Sequence, residues 1–443
     1  MIDTSCLRRK ILDSLLNPES LKKSCSSKEN KLGDVLKIER GGSPRPIKSY
    51  LTTSDDGMNW IKIGDTKPGS KYIEAVKEKI KPEGLKKSRF VREGDFLLSN
   101  SMSFGRPYIL KVDGCIHDGW LVLKDRNSIF DKNFLYYYLS SPRLYAEFAI
   151  KAGGSTVENL NIDLVSSVDI IIPPLEDQKR IVAKIEELFA KIDEIDKAQK
   201  ELKELAELAE KKVLDMAVRG ELVEQDETDQ SAEQFISNVK DKIDVAVSKK
   251  VIRKKAVTPM LDADIPYDTP GNWCWEKIGA LFAINPKNVG ISDNDIVGFV
   301  PMTLMDAGIS NHHEYEEKPW KEIKKGFTAL QNGDLAIAKI TPCFQNRKSG
   351  VIQNLPNGVG GGTTEFHVLR DISHTFDMRY ALALVQTQEF IDYGVSHFSG
   401  AVGQQRVSKE ALADYPFPVP PFEEQQRIGE KIEEYLSLIK TMI

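Results

Sequence analysis

The side chains best suited to chemistry in this 443-residue chain lie in a few polar segments. GGSPRP (residues 41–46) offers Arg45, and SNSMSFGRP (99–107) offers Ser99, Asn100, Ser101, Ser103 and Arg106. KITPCFQNRKSG (339–350) offers Lys339, Thr341, Gln345, Asn346, Arg347 and Lys348. Arginine matches guanine O6 and N7, and asparagine or glutamine matches adenine N6 and N7, so these types suit base edges. GGSTVENL (153–160), with Ser155 and Thr156, and SGAVGQQRV (399–407), with Gln404, Gln405 and Arg406, join small residues to short polar ones. Backbone amides and such side chains suit phosphate. The plain alternative for any one residue is a solvated turn, so the segments weigh more than their members. The mixed run 71–92 reads as a solvated face with phosphate-facing lysines.

Catalytic and metal chemistry find less support. NGVGGGTTEF (357–366) lacks the Gly-Lys-Ser/Thr ending of a phosphate loop and reads as a tight loop before the FHVLR strand. His312-His313 reads as an exposed loop pair rather than a metal site. Cys6, Cys25, Cys115, Cys274 and Cys343 form no C-x-x-C pair, which argues against a zinc ribbon or a disulfide scaffold. No Asn-Pro-Pro-Tyr or Asp-Pro-Pro-Tyr element of an adenine methyltransferase is present, nor a nuclease-like acidic cluster with a lysine. The expectation is a non-enzyme with no catalytic residue, no metal and no cofactor of its own.

Hydrophobic residues make up 41% and charged residues 29% of the chain, an ordinary globular balance that excludes wholesale disorder. No apolar run reaches the roughly 18 residues of a spanning helix. MIDTSCLRRKILDSLL shows no signal-peptide core, so the expected location is cytoplasmic, with no membrane partner. Lysine and arginine number 61 against 66 acidic residues, a net charge of −5, so any nucleic-acid surface must be local. Acidic residues gather in helical and linker segments, and basic-polar ones in the loops above.

Those loops sit in a repeat. IIPPLEDQKRIVAKIEELFAKID (171–193) recurs as PVPPFEEQQRIGEKIEEYLSLIK (418–440), aligning Pro173 with Pro420, Gln178 with Gln425 and Arg180 with Arg427. Upstream, KLGDVLKI (31–38) resembles EKIGALFAI (276–284), REGDFLLS (92–99) resembles QNGDLAIA (331–338), and DGWLVLKD (118–125) resembles TEFHVLRD (364–371). FDKNFLYYYL (130–139) resembles FDMRYALALV (376–385). Each half is a mixed domain closed by a Pro-Pro break and a helix. Gly-Asp before alternating apolar residues predicts a turn and a strand, and the stretch after Phe-Asp predicts a helix.

After the first Pro-Pro, apolar or small residues recur at Ile181, Ile185, Leu188, Ile192, Ile195, Leu202, Ala206, Ala209, Val213 and Met216, with Gln199 breaking the series. This is a heptad seam, and it requires a covering partner. A continuous helix over that seam would rise about 52 Å at 1.5 Å per residue. The second copy carries Ile428, Ile432, Tyr435, Ile439 and Met442 in the same phase. LRRKILDSLL (7–16) resembles AEKKVLDMAV (209–218), which predicts a circularly arranged repeat whose N-terminal helix completes the C-terminal one. Gly220 is a plausible C-cap, and residues 231–247 can form a further helix.

Taken together, the paired PPLEDQ and PPFEEQ helix starts, RGELV (219–223) and IPYDTPGNWCWEKIGAL (265–281) resemble the specificity subunits of type I restriction–modification systems. The resemblance covers nearly the whole chain. It implies an α+β fold: two mixed target-recognition domains in pseudo-two-fold arrangement, separated by a long antiparallel coiled coil. On this basis residues 1–30 form an N-terminal helix joining the coiled-coil region, and 31–172 the first recognition domain. Residues 173–258 form the central helix and linker, 259–419 the second recognition domain, and 420–443 the C-terminal coiled-coil helix. The first domain departs from the pattern in lacking Pro-Gly-x-Trp at its start. The implied partners are double-stranded DNA, read as a bipartite site, and two methyltransferase (modification) subunits that use S-adenosylmethionine. Motor-nuclease (restriction) subunits would join for cleavage. The competing readings are a coiled-coil adaptor without DNA specificity, and a recognition module of a fused methyltransferase or nuclease.

Overall fold

A computed structural model describes residues 1–23, 26–67, 69–100, 104–152, 160–252, 257–288, 290–401 and 403–443. The chain divides into two units, Met1–Lys200 and Glu201–Ile443.

In the first unit, REGDFLLS turns at Gly94 (φ +87°) and runs out as the strand Phe96–Ser99. This strand sits mid-way in a five-stranded sheet ordered Leu36–Arg40, Trp120–Asp125, Phe96–Ser99, Pro107–Leu110, Tyr72–Ile73. A second sheet is ordered Leu51–Thr52, Lys79–Ile80, Met58–Ile61, Gly114–Ile116, Arg89–Val91, with Met58–Ile61 and Gly114–Ile116 parallel. Side chains alternate between the faces of a strand. One set, Leu97, Tyr108, Leu110, Trp120 and Val122, joins Ile61, Val91 and Ile116 of the second sheet in one core. The other set, Phe96, Leu98, Leu121 and Leu123, packs with the helix Lys132–Leu139 and the N-terminal helix Thr4–Leu16.

The second unit repeats this order. Its sheets run Ala283–Ile284, Phe366–Arg370, Leu335–Ala338, Ser349–Val351, and Glu316–Pro319, Ile296–Val300, Val359–Gly362, Thr328–Gln331. Here too one neighbouring pair, Ile296–Val300 with Val359–Gly362, is parallel. The glycine-rich segment expected to be a tight loop is thus a strand. Gly298 and Gly360 allow it: a Cβ on Gly360 would fall 2.0 Å from the Gly298 carbonyl oxygen.

Each unit is closed by a short antiparallel pair, Lys28–Lys31 with Asp169–Ile172 and Cys274–Lys277 with Pro416–Val419. The next amide bonds match as well: Leu32 donates to Val168 at 2.9 Å and Ile278 to Tyr415 at 3.1 Å. The first unit therefore makes the same closure without the Pro-Gly-x-Trp lead.

The residues after each Pro-Pro form the helices Leu175–Arg219 (45 residues) and Phe422–Met442 (21 residues). Gln178 and Gln425, both fully buried, tie these helices to the domains. Gln178 Nε2 donates to Pro173 O at 2.9 Å, and its Oε1 accepts from the Asp131 amide at 2.8 Å. Gln425 does the same with Pro420 O (3.0 Å) and the Asp377 amide (3.2 Å). Asp131 and Asp377 in turn cap the helices Lys132–Leu139 and Met378–Gln386.

Leu12 and Leu16 of the N-terminal helix share a cluster with Val182 and Ile185, while Leu214 and Val218 share one with Ile428 and Ile432. The likeness between residues 7–16 and 209–218 is thus a likeness of packing role. Arg8 strengthens the first pairing through Asp193 (2.7 Å) and Asp196 (2.8 Å). Gln199, the break in the heptads, hydrogen-bonds both backbone groups of Ile2. The seam is covered unevenly: Ile185, Ile192 and Ala206 are buried, whereas Leu202 and Ala209 are exposed. Gly220 (φ +74°) ends the long helix, with the Glu221 amide donating to Met216 O at 2.9 Å. A side chain there would strike Pro270, its Cβ 2.4 Å from Pro270 Cγ.

Candidate nucleic-acid interface

In the second unit the loop 339–350 leaves the strand Leu335–Ala338 and is rooted by Phe344, which is buried. Its ring centroid lies 5.8 Å from that of Phe390 and 5.7 Å from that of Phe398. Gly394 makes the seat, since a Cβ there would be 2.1 Å from Phe344 Cζ. The C-terminal half of the loop is bound inward. Arg347, in left-handed backbone (φ +53°), donates from Nε to Gln386 O at 2.9 Å and from Nη2 to Gln388 Oε1. Lys348 Nζ donates to the carbonyls of Met302 and Met305, both at 2.9 Å. Gln345 and Asn346 stand exposed at the tip.

Beside this loop lies the hairpin Phe398–Ser399 with Arg406–Val407. The Thr341 amide donates to Gln405 O and the Val407 amide to Lys339 O, both at 2.9 Å. The two segments singled out in this half of the sequence are therefore one surface. Arg406 forms a side-on pair with Glu365: Nε to Oε2 and Nη2 to Oε1, both 2.8 Å. Arg406 Nη1 also donates to Gln404 O at 2.9 Å. The hydrogen bond from Arg406 holds the Glu365 carboxyl below its ordinary range. Under the hairpin, buried His367 bonds Val407 O at 2.9 Å, and burial pushes its pKa down to about 4. Gln404 is exposed; Lys339 and Gln405 are half-buried, and Lys339 makes no side-chain hydrogen bond among the described residues. Thr341 Oγ1 is buried without a partner among them.

The first unit has the same plan. Phe104, buried, stacks on Tyr145 at 5.6 Å and roots the loop after Phe96–Ser99. Ser99 and Asn100 are both buried. Ser99 Oγ accepts from the Arg106 amide at 3.0 Å. Asn100 Nδ2 donates to Asp118 O at 2.9 Å, its amide to Gly119 O at 3.0 Å, and its carbonyl accepts from Leu160 at 2.8 Å. Asn100 Oδ1 is unpartnered among the described residues. Arg45 and Arg106 are exposed. Asp118 connects the loops: its Oδ1 accepts from Ser43 Oγ at 2.6 Å, Oδ2 lies 3.5 Å from Arg45, and its carbonyl accepts from Arg40 at 3.0 Å. The Ser43 hydrogen bond, foremost, holds the Asp118 carboxyl below its usual range. Ser101, Ser103, Ser155 and Thr156 lie outside the described residues.

Within the run 71–92, Lys71 is turned inward: Nζ donates to Asn133 Oδ1 at 2.6 Å and lies 4.9 Å from the centre of the Tyr137 ring. Burial lowers its pKa. Among the described residues no group of three or more histidine, cysteine, aspartate or glutamate side chains could hold a metal, and no helix is long and apolar enough to cross a membrane. His312 Nδ1 instead faces Asp306 Oδ2 at 3.2 Å, and His313 Nε2 accepts from the Gln353 amide at 3.0 Å. Sequence reasoning missed Phe104, Phe344, Asp118 and Glu365. The phenylalanines had a signal, a lone aromatic at the same place in both polar loops; the carboxylates had none.

The profile of the type I restriction modification DNA specificity domain matches residues 26–207 and 293–442, one stretch in each half. The chain belongs to this family. Among curated proteins, this type I specificity family member is 37% identical over 227 residues to the type I restriction enzyme EcoAI specificity subunit of Escherichia coli. That alignment takes in 51% of the chain and 38% of the relative. It is 36% identical over 217 residues to the EcoEI specificity subunit of Escherichia coli, covering 49% of the chain and 36% of the relative. The matched part thus spans well under half the length of these relatives. Among solved structures, the HsdS subunit from Thermoanaerobacter tengcongensis aligns over 94% of this chain and 90% of its own, with TM-score 0.55 and 17% identity. A chain solved in work on complex assembly and conformational transition of the type I R-M system aligns over 96% and 92%, with TM-score 0.59 and 17% identity. At that identity the likeness is one of fold. It fits two mixed domains of common topology and a long helix.

Proposed function

We infer that this type I specificity family member is the DNA-reading subunit of a restriction–modification enzyme and carries no catalytic group itself. Each recognition domain, residues 31–172 and 259–419, reads one half of a bipartite duplex site. The helical segments dock two methyltransferase subunits, which supply S-adenosylmethionine and the methyl transfer, and set the gap between half-sites. Motor-nuclease subunits join the same assembly, in the cytoplasm.

One observation carries the reading. Each unit builds the same frame, a strand, a phenylalanine-rooted loop and a second segment bonded to it through a backbone amide, and dresses it with different polar side chains. A constant frame under variable donors is what two half-sites of unlike sequence demand, since phosphate contacts position and base contacts specify. The relatives named as specificity subunits support it. Single-molecule sequencing of host DNA, with and without the gene, tests it: a split adenine-methylation motif should vanish on deletion. Persistence of every methylated motif would leave a protein-binding adaptor as the reading.

A further inference from the structure

The loop cations of the second unit are not equivalent. Arg347 and Lys348 are held by backbone and side-chain acceptors inside the unit. Arg406 is differently placed: it lies where the two polar segments meet, opposite Ile340 in an antiparallel bridge, and its side chain is 39% exposed. A guanidinium has five N–H donors. Glu365 takes one from Nε and one from Nη2, and Gln404 O takes one from Nη1. Two donors remain, one on each terminal nitrogen.

We propose that Arg406 is a guanine-reading residue of the second half-site and that Glu365 is the positioning residue that aims it. The assignment rests on the DNA-reading function inferred above. The carboxylate fixes the guanidinium plane and lowers the entropy lost when it meets a base. It also cancels most of the positive charge, so the pair attracts phosphate weakly. What it keeps is one donor on each terminal nitrogen, the number that guanine O6 and N7 together accept. Lys339, without a side-chain hydrogen bond among the described residues, and the exposed tip residues Gln345 and Asn346 are left for phosphate and for neighbouring bases. A bare surface cation would do the reverse, adding affinity without choosing a base.

The test replaces the chromosomal gene by Arg406→Ala, Arg406→Lys and Glu365→Gln forms and reads the methylated motif of the host by single-molecule sequencing. With Arg406→Ala, one guanine of one half-site should become degenerate, discrimination there falling roughly tenfold to a hundredfold, and the other half-site should be unchanged. Lysine, a single point donor, should not restore it. Glu365→Gln should blur the same guanine while the chain keeps binding. A motif unchanged in all three overturns the proposal and leaves an ordinary surface ion pair. So does weaker methylation with no loss of base choice, which marks a phosphate contact. Where Arg406→Ala abolishes methylation outright, the wild-type full chain is compared by gel shift on its site with guanine or 7-deazaguanine at each guanine position of that half. Loss of affinity at one position supports the assignment, and equal affinity at all of them overturns it. If deleting the wild-type gene leaves host methylation intact, the DNA-reading function itself falls, before any variant is made.

Discussion

The backbone amide of Val407 donates to the carbonyl of Lys339 at 2.9 Å, and this bond welds two segments distant in sequence into one surface. Its counterpart in the first unit is the amide of Leu160, donating to Asn100 at 2.8 Å. Neither bond depends on side-chain identity, so the surface residues are left to vary without loss of the frame.

Tip and root of the 339–350 loop should therefore separate by assay. Gln345→Ala with Asn346→Ala should weaken sequence-specific binding in a gel shift and leave urea unfolding within about 0.5 kcal/mol of wild type. Arg347→Ala, which strips two internal acceptors, should cost about 1–3 kcal/mol in the same unfolding experiment. Phe344→Ala, emptying a buried seat, should cost about 3–5 kcal/mol. Equal stability of the tip and root variants would contradict the assignment of roles.

Gln178 and Gln425 should be more sensitive than their polar character suggests. Each satisfies a buried carbonyl and a helix-capping amide, so Gln178→Leu or Gln425→Leu strands both. A loss of about 1–3 kcal/mol per orphaned group is expected in chemical denaturation. A variant as stable as wild type would show that these amides are dispensable.

His367 predicts a pH dependence. Burial, the main cause, holds its folded pKa near 4, with Lys339 and Lys409 adding to the depression while the Val407 hydrogen bond and Glu410 oppose it. An unfolded histidine titrates near 6.5, so between those values the unfolded chain binds the extra proton and stability falls as pH falls. The contribution is complete above about pH 6.5 and gone below about pH 4. From pH 7 to pH 5 the loss is about 2 kcal/mol. His367→Gln should flatten that part of the stability curve relative to wild type; an identical slope would mean the ring is not buried neutral.

Exchange of residues 31–172 for another recognition domain should alter one half of the methylated motif and spare the other. Changes in both halves would argue against independent reading.

Four residues inserted near Gln199 add about 6 Å of helix and should lengthen the tolerated gap while leaving the bases of both half-sites as they were. The insertion also rotates the helix, so the informative result is a recovered motif. One with an unaltered gap would end the spacer idea.

What could be read from residues alone was whatever is local or repeated. The helices after each Phe-Asp pair, which Asp131 and Asp377 cap, and the end of the long helix at Gly220 depend on neighbours within a few positions, so the local residue types predicted them. The two halves announced a common frame because strands and helices of equal spacing need apolar residues of equal phase. Which cations face outward was not legible. Arg347 turns in because acceptors at Gln386 and Gln388 lie 39 and 41 positions away, and Arg406 is oriented by a carboxylate 41 positions before it. The strand Val359–Gly362 needs its glycines because its parallel neighbour, Ile296–Val300, comes so close that a Cβ at Gly360 would meet the Gly298 carbonyl oxygen. Hydrogen-bond partners and close approaches of that kind exist only once the chain is folded. Composition therefore marked the polar segments, and tertiary structure decided which of their side chains remain exposed and which are bound inside the unit.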